Sequence, residues 1–168
     1  MKSAMKKILY TLAAVTLTIW SCKPDLKGEL GDPADKIEGM DGTWEISGFI
    51  QQDPNNPIKE ERDLSEFYIV PGETPYRLQF SKDDRTYTVV PGPGKNFFGT
   101  AGTWGFDNDQ FPTYLYLYNA TDTLELTLGA VVRPSDNTLS IELENYCEDE
   151  AGVRTQTAIY KFNFNRVN

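Results

Sequence analysis

Apolar and polar residues alternate one by one along the second half of the chain. In the segment 122–132, for example, Leu124 and Leu126 are each flanked by polar residues. Successive side chains of a strand point to opposite faces of a sheet, so a period of two predicts half-buried β-strands. The same period runs through 138–146 and 156–167. No long segment has the 3.6-residue period of an amphipathic helix, and we therefore predict an all-β domain.

Nine apolar segments, bounded by turn-forming residues, have the spacing of a β-sandwich or a β-barrel. They are 43–51, 66–70, 76–81, 86–90, 100–107, 113–118, 122–132, 138–146 and 156–167. An antiparallel up-and-down barrel closes cleanly only with an even number of strands. Omitting the weakest segment, 66–70, leaves eight strands and favours such a barrel. Keeping all nine favours an open sheet or a β-sandwich instead.

The N-terminal region predicts export from the cytoplasm. Lys2, Lys6 and Lys7 precede an apolar run at 8–20, which is shorter than the roughly 20 residues that a membrane-spanning helix needs. A basic segment followed by a short apolar one is typical of a secretory signal peptide. We place this signal peptide at 1–21.

The sequence Ile-Trp-Ser-Cys at 19–22 resembles a bacterial lipobox, in which the cysteine is acylated and becomes the first residue of the mature protein. The resemblance implies that Cys22 carries the lipid and that its acyl chains anchor the protein to a membrane. The alternative is an unlipidated signal peptide that is cut nearby. The polar segment 22–40 contains several glycines and predicts a flexible tether, followed by a single domain at 41–168.

Charge and residue usage argue against several functions. The chain has 16 basic and 25 acidic residues, and three of the basic ones lie in the signal peptide, so the mature part carries 13 − 25 = −12. Such a surface disfavours nucleic acid, whose phosphates require Lys and Arg. The chain has no His, so Cys147 lacks its usual activating base. With no metal-ligand spacing either, we predict no catalytic residue, no metal and no cofactor.

Three aromatic motifs follow one another along the chain: Gly42-Thr43-Trp44, Gly102-Thr103-Trp104 and Tyr160-Lys161-Phe162-Asn163-Phe164. Together with the lipobox, this ordered set resembles the lipocalin-like lipoproteins of unknown function found in Bacteroidetes. The resemblance covers 38–168 and implies a lipocalin-like barrel in the cell envelope, most simply at the outer membrane, without an established activity. In lipocalins the tryptophan of the first strand closes one end of the barrel beneath an arginine of the last strand. The matching residues here are Trp44 and Arg166.

The middle of the chain is rich in aromatic residues and is the candidate ligand-binding region. The residues concerned are Trp104, Phe106, Tyr114, Tyr116 and Tyr118. An eight-stranded barrel either encloses one small ligand or fills its interior with side chains. These residues therefore either line a pocket for a small hydrophobic or glycan ligand or belong to the core. We predict a binding lipoprotein without catalytic activity; the alternative is a solid barrel that binds another envelope protein through its loops or a sheet edge.

Two further motifs lie in the second half of the chain. Asp122-Thr123-Leu124 resembles the O-glycosylation motif of Bacteroidetes, which implies Thr123 as a modified residue. Glu142 and Glu144 share one strand face and have the residue types of a glycosidase pair. The alternation of the strand points both carboxylates outward, so we do not predict a glycosidase.

Overall fold

The computed structural model describes residues 34–56, 58 and 60–167. The predicted signal peptide, Cys22 and most of the predicted tether lie outside these residues. Within the described part, the strands are β1 Gly42–Gln52, β2 Glu61–Asp63, β3 Arg77–Phe80, β4 Thr86–Val90, β5 Ala101–Phe106, β6 Tyr114–Tyr118, β7 Thr123–Leu128, β8 Thr138–Glu148 and β9 Arg154–Val167. A short helix, α1, spans Lys36–Met40, and a 3-10 turn spans Ser65–Phe67.

The strands form a closed antiparallel barrel, which confirms the predicted fold class. Each strand from β3 to β8 pairs with the next, β1 pairs with β3, and β9 returns to pair with β1. Eight strands therefore close the barrel, as expected after the segment 66–70 was omitted. The extra strand, β2, pairs with the end of β1 at Ile50–Gln52. It lies beyond the part of β1 that pairs with β3. All three residues of β2 are exposed, so no hydrophobic alternation marks this strand in the sequence.

A β-bulge in β1 decides which side chains enter the interior. Ile46 pairs with Phe164 and Gly48 pairs with Asn163, so β1 contains one extra residue between these two pairs. Strict alternation from Trp44 would place Ile50 inside. The bulge shifts the pattern by one residue, and Phe49 is the buried residue, with 4% of its surface exposed.

The interior of the barrel is a packed aromatic core. Its largest fully buried side chains are Trp44, Tyr76, Tyr87, Phe98, Phe162, Phe164, Met40, Leu78, Leu115, Leu117, Leu126 and Ile141. Phe98, in the loop between β4 and β5, reaches the last strand, where its ring centre lies 4.9 Å from that of Phe162 and 6.5 Å from that of Phe164. A ring from a loop thus packs against the rings of the last strand, as in the close-packed interiors of other proteins.

Candidate functional site

One end of the barrel is covered by α1. The carboxylate of Asp35 caps this helix by accepting hydrogen bonds from the backbone N–H groups of Ile37 and Glu38, at 2.8 and 3.2 Å. The indole Nε1 of Trp44 donates to the carbonyl oxygen of Met40 at 2.8 Å. This bond ties α1 to β1. The helix falls within the segment 22–40 that was predicted to be a tether, and Met40 is fully buried.

Arg166 lies over Trp44 at this end of the barrel. The two residues pair directly in the β1–β9 ladder, and the guanidinium carbon is 4.5 Å from the centre of the indole ring. Nη1 donates to the carbonyl oxygen of Asp41 at 2.7 Å and Nη2 to that of Gly39 at 2.5 Å. This cluster joins the first strand, the last strand and α1. Trp44 is fully buried, so its indole ring offers no surface to a ligand.

The five aromatic residues of the middle region do not face one common space. Trp104 is buried in the core, where its Nε1 donates to the carbonyl oxygen of Ser81 at 3.1 Å. Its ring packs edge-on against those of Phe80 and Phe106, with ring centres 5.8 and 5.4 Å apart. Trp104 and Phe106 therefore belong to the packed interior.

Tyr114, Tyr116 and Tyr118 lie on the outer face of β6. The residues between them, Leu115 and Leu117, are fully buried and take the inner face. The prediction that these tyrosines line an interior pocket together with Trp104 is therefore wrong. The strand is apolar on both faces, so its sequence does not specify which face turns inward.

The three tyrosine rings form a row along the outer wall of the barrel. The ring centres are 6.5 Å apart between Tyr114 and Tyr116, and 6.2 Å apart between Tyr116 and Tyr118. Partial desolvation raises the pKa of Tyr116 above its ordinary value, and the nearby Glu125 carboxylate raises it further. The row is thus a half-exposed aromatic surface on the outer wall of the barrel.

The wall of the barrel opens into a groove between β7 and β8. The ladder between these two strands contains only the pairs Thr127↔Glu142 and Leu128↔Ile141. By contrast, β7 pairs with β6 through five residue pairs and β8 pairs with β9 through eleven. Beyond Thr127 and Glu142 the strands separate, and a groove of about 680 Å³ lies between them.

The groove has an apolar inner side and a charged outer rim. Leu124 and Leu143 are half-buried, whereas Glu125 and Glu144 are exposed. The groove was not predicted from the sequence, because the alternation of each strand specifies its inner face but not how far its pairing extends.

An aromatic ring and a cation lie at one end of the groove, where the β8–β9 hairpin borders it. The hydroxyl of Tyr146 donates to the carboxylate of Glu144, and this hydrogen bond raises the pKa of Tyr146. The guanidinium carbon of Arg154 lies 4.7 Å from the centre of the Tyr146 ring. Thr123, the predicted O-glycosylation residue, is exposed at the start of β7 and also borders the groove.

Other candidate residues are dispersed over the surface. Glu142 and Glu144 lie on the outer side of β8, where Glu142 pairs across the strand with Lys161. Cys147 is exposed near the end of β8. In residues 34–56, 58 and 60–167, no group of three or more His, Cys, Asp or Glu side chains is placed to hold a metal ion. Over the same residues, no helix is long and apolar enough to cross a bilayer.

Comparison of the chain with protein family models, with curated proteins and with solved structures gives no match. The likeness to lipocalin-like lipoproteins is therefore a resemblance carried by the three motifs and the lipobox. The closed barrel with its solid core and the groove in its wall are the features from which a function has to be argued.

Proposed function

We propose that the protein is a lipid-anchored lipoprotein of the cell envelope, held at the outer membrane by acylated Cys22, and that its barrel acts by binding another envelope protein. The observation that carries this proposal is the packed interior. The aromatic core occupies the space in which a barrel of this size would hold a small ligand. Binding is therefore assigned to the outer surface, and this favours a partner protein over an enclosed hydrophobic ligand.

The anchor is tested by growing cells with an alkyne-bearing fatty acid and detecting the label on the purified protein. The label is expected on the wild type and on Cys147→Ser, which removes the other cysteine of the chain. It is expected to be absent from Cys22→Ser, because this variant has no thiol at the acylation position. Label that persists on Cys22→Ser would refute the anchor.

Partner binding is tested with a photo-crosslinking amino acid placed at single outer positions in living cells. Asn145 samples the groove, Tyr116 samples the tyrosine row, and Glu66, an exposed residue of the 3-10 turn, samples a separate surface. A partner is expected to give an adduct of defined mass at one of these surfaces and not at all three. Absence of any defined adduct across the outer surface would refute the proposal.

A second candidate function is glycan binding by the tyrosine row, and the outward direction of its three rings favours it. Aromatic faces pack against the apolar faces of sugar rings, while neighbouring polar groups bond the hydroxyls. Electrophoresis through gels that contain a polysaccharide tests this function. Tyr116→Ala is expected to remove the retardation, whereas Phe111→Ala, a change at an aromatic residue that is 75% exposed and lies outside the row, leaves it unchanged.

A further inference from the structure

We infer that the groove between β7 and β8 binds an extended segment of the partner protein as an added β-strand, and that this segment alternates apolar with basic residues. The inference rests on the proposed function, since it assigns the binding site and the chemistry of the segment that occupies it. It follows from three features of the groove: the reason it opens, the backbone that faces it and the side chains that line it.

The groove opens where further pairing would bring two like charges together. Extending the register of Thr127↔Glu142 by two residues would place Glu125 directly opposite Glu144 on the outer face. Like charges in directly opposed positions destabilise a strand pair. The ladder therefore stops after two pairs, although both strands continue past it.

Both walls of the groove are strand edges. β7 remains paired with β6 as far as Thr123, and β8 remains paired with β9 as far as Glu148. Each strand thus keeps its extended backbone while the edge that faces the groove has no strand beside it. Edges of this kind present N–H and C=O groups that pair with an extended peptide, which joins the sheet as a new strand.

The side chains of the groove select the sequence of such a peptide. Leu124 and Leu143 lie on its inner side, and Glu125 and Glu144 lie on its outer rim. Since the side chains of a strand alternate between faces, every second residue of the added strand would contact the leucines. The residues between them would lie among the carboxylates, where Lys or Arg would separate and neutralise the like charges.

The charge of the groove also argues against a second copy of this chain as the occupant. Of the charged residues that line the groove, Asp122, Glu125 and Glu144 are acidic and Arg154 alone is basic. The guanidinium of Arg154 already lies over the ring of Tyr146. An acidic edge from a second copy would add to the repulsion, whereas a basic segment removes it.

The test uses hydrogen exchange on the full-length protein in detergent, with short synthetic peptides as probes. A peptide of alternating valine and lysine is expected to slow exchange of the amides at 123–126 and 143–146. The slowing should reach about tenfold when the peptide is present at about ten times its dissociation constant. A peptide of alternating valine and glutamate should have no effect. Neither should a valine–lysine peptide that is N-methylated at every second residue, because it keeps the charge and lacks the donors for strand pairing.

Two charge-matched variants separate the site from general attraction between basic and acidic molecules. Glu125→Lys places a cation opposite Glu144, so it should protect the Glu144 amide without peptide and should abolish binding of the valine–lysine peptide. Glu66→Lys changes the net charge equally at an exposed position that does not line the groove and should bind like the wild type.

Three outcomes would overturn the inference: no protection at the groove, equal protection by the N-methylated peptide, or undiminished binding to Glu125→Lys. If the partner crosslinks only at other surfaces, the assignment of the groove fails while the proposed function stands. If no surface crosslinks, the proposed function fails, whatever the peptides do.

Discussion

Replacing Arg166 with alanine should destabilise the end of the barrel that α1 covers. The substitution removes two hydrogen bonds, to the carbonyl oxygens of Asp41 and Gly39, and the contact with the indole ring of Trp44. It also leaves a space beside a fully buried tryptophan. Each of these losses acts on the same three elements, α1, β1 and β9.

The size of the effect follows from the contacts. Hydrogen bonds to a charged group contribute about 1.5–3 kcal/mol each, and a cation over an indole contributes about 0.5–2 kcal/mol. The sum overstates the cost, because the buried Nε of Arg166 has no hydrogen-bond partner and the guanidinium is partly desolvated in the folded state. We expect Arg166→Ala to lower the free energy of unfolding by about 3–4 kcal/mol. Arg166→Lys keeps the charge and one donor direction, and should lose about half as much.

Urea denaturation followed by far-ultraviolet circular dichroism measures this difference. The midpoint should fall in the order wild type, Arg166→Lys, Arg166→Ala, with the slope of the transition unchanged. Arg62→Ala, which removes an exposed arginine of β2, is the control and should change stability by less than about 0.5 kcal/mol. A loss below about 1 kcal/mol for Arg166→Ala would refute the reasoning, since it would mean that the desolvation of the guanidinium cancels its contacts.

Two other predictions concern β5 and the response to alkaline pH. Gly102→Ala should lower the free energy of unfolding by at least about 2 kcal/mol, because an added Cβ would overlap the carbonyl oxygen of Tyr118. In the same strand Gly105→Ala should be nearly neutral, since its Cβ would lie 3.8 Å from the nearest atom. Equal urea midpoints for the two variants would contradict this account. Burial raises the pKa of Tyr68 from 10.0 to about 12. The unfolded chain therefore loses this proton first, and the stability that Tyr68 contributes is complete below pH 10 and falls by about 1.4 kcal/mol per pH unit as pH rises towards 12. Tyr68→Phe should flatten that part of the pH–stability curve, and an unchanged slope would show that Tyr68 ionises normally in the folded state.

The period of two in the sequence predicted the all-β class, and the strand count then favoured the barrel over a β-sandwich. Alternation specifies the inner face of β7 and β8, and an even strand count follows once the segment 66–70 is set aside. The resemblance to lipocalins also placed Arg166 and Trp44 at the same end, and the two residues are in contact. These features depend on which side chains are apolar, which a sequence displays directly.

The candidate site could not be predicted in the same way, because it depends on how strands meet. In β6 both faces are apolar, and only packing against the core turns Leu115 and Leu117 inward and the tyrosines outward. We attribute the separation of β7 from β8 to Glu125 and Glu144. These residues lie in different strands and would face each other if the pairing of the two strands continued. That relation appears only once the register is known.

The pairing of the first barrel strand with the last has a consequence for biosynthesis. The hydrogen bond between Arg166 and Asp41 joins residues that are 125 positions apart, whereas the strands between them pair with their neighbours along the chain. Contacts of such long range make folding slow, and β1 has no partner on its β9 side until the end of the chain has been made. A chain stalled or cut before β9 would hold an open sheet whose outermost strands each expose an unpaired edge. We therefore expect truncated products to depend on chaperones or to be degraded, so that only complete chains accumulate as closed barrels.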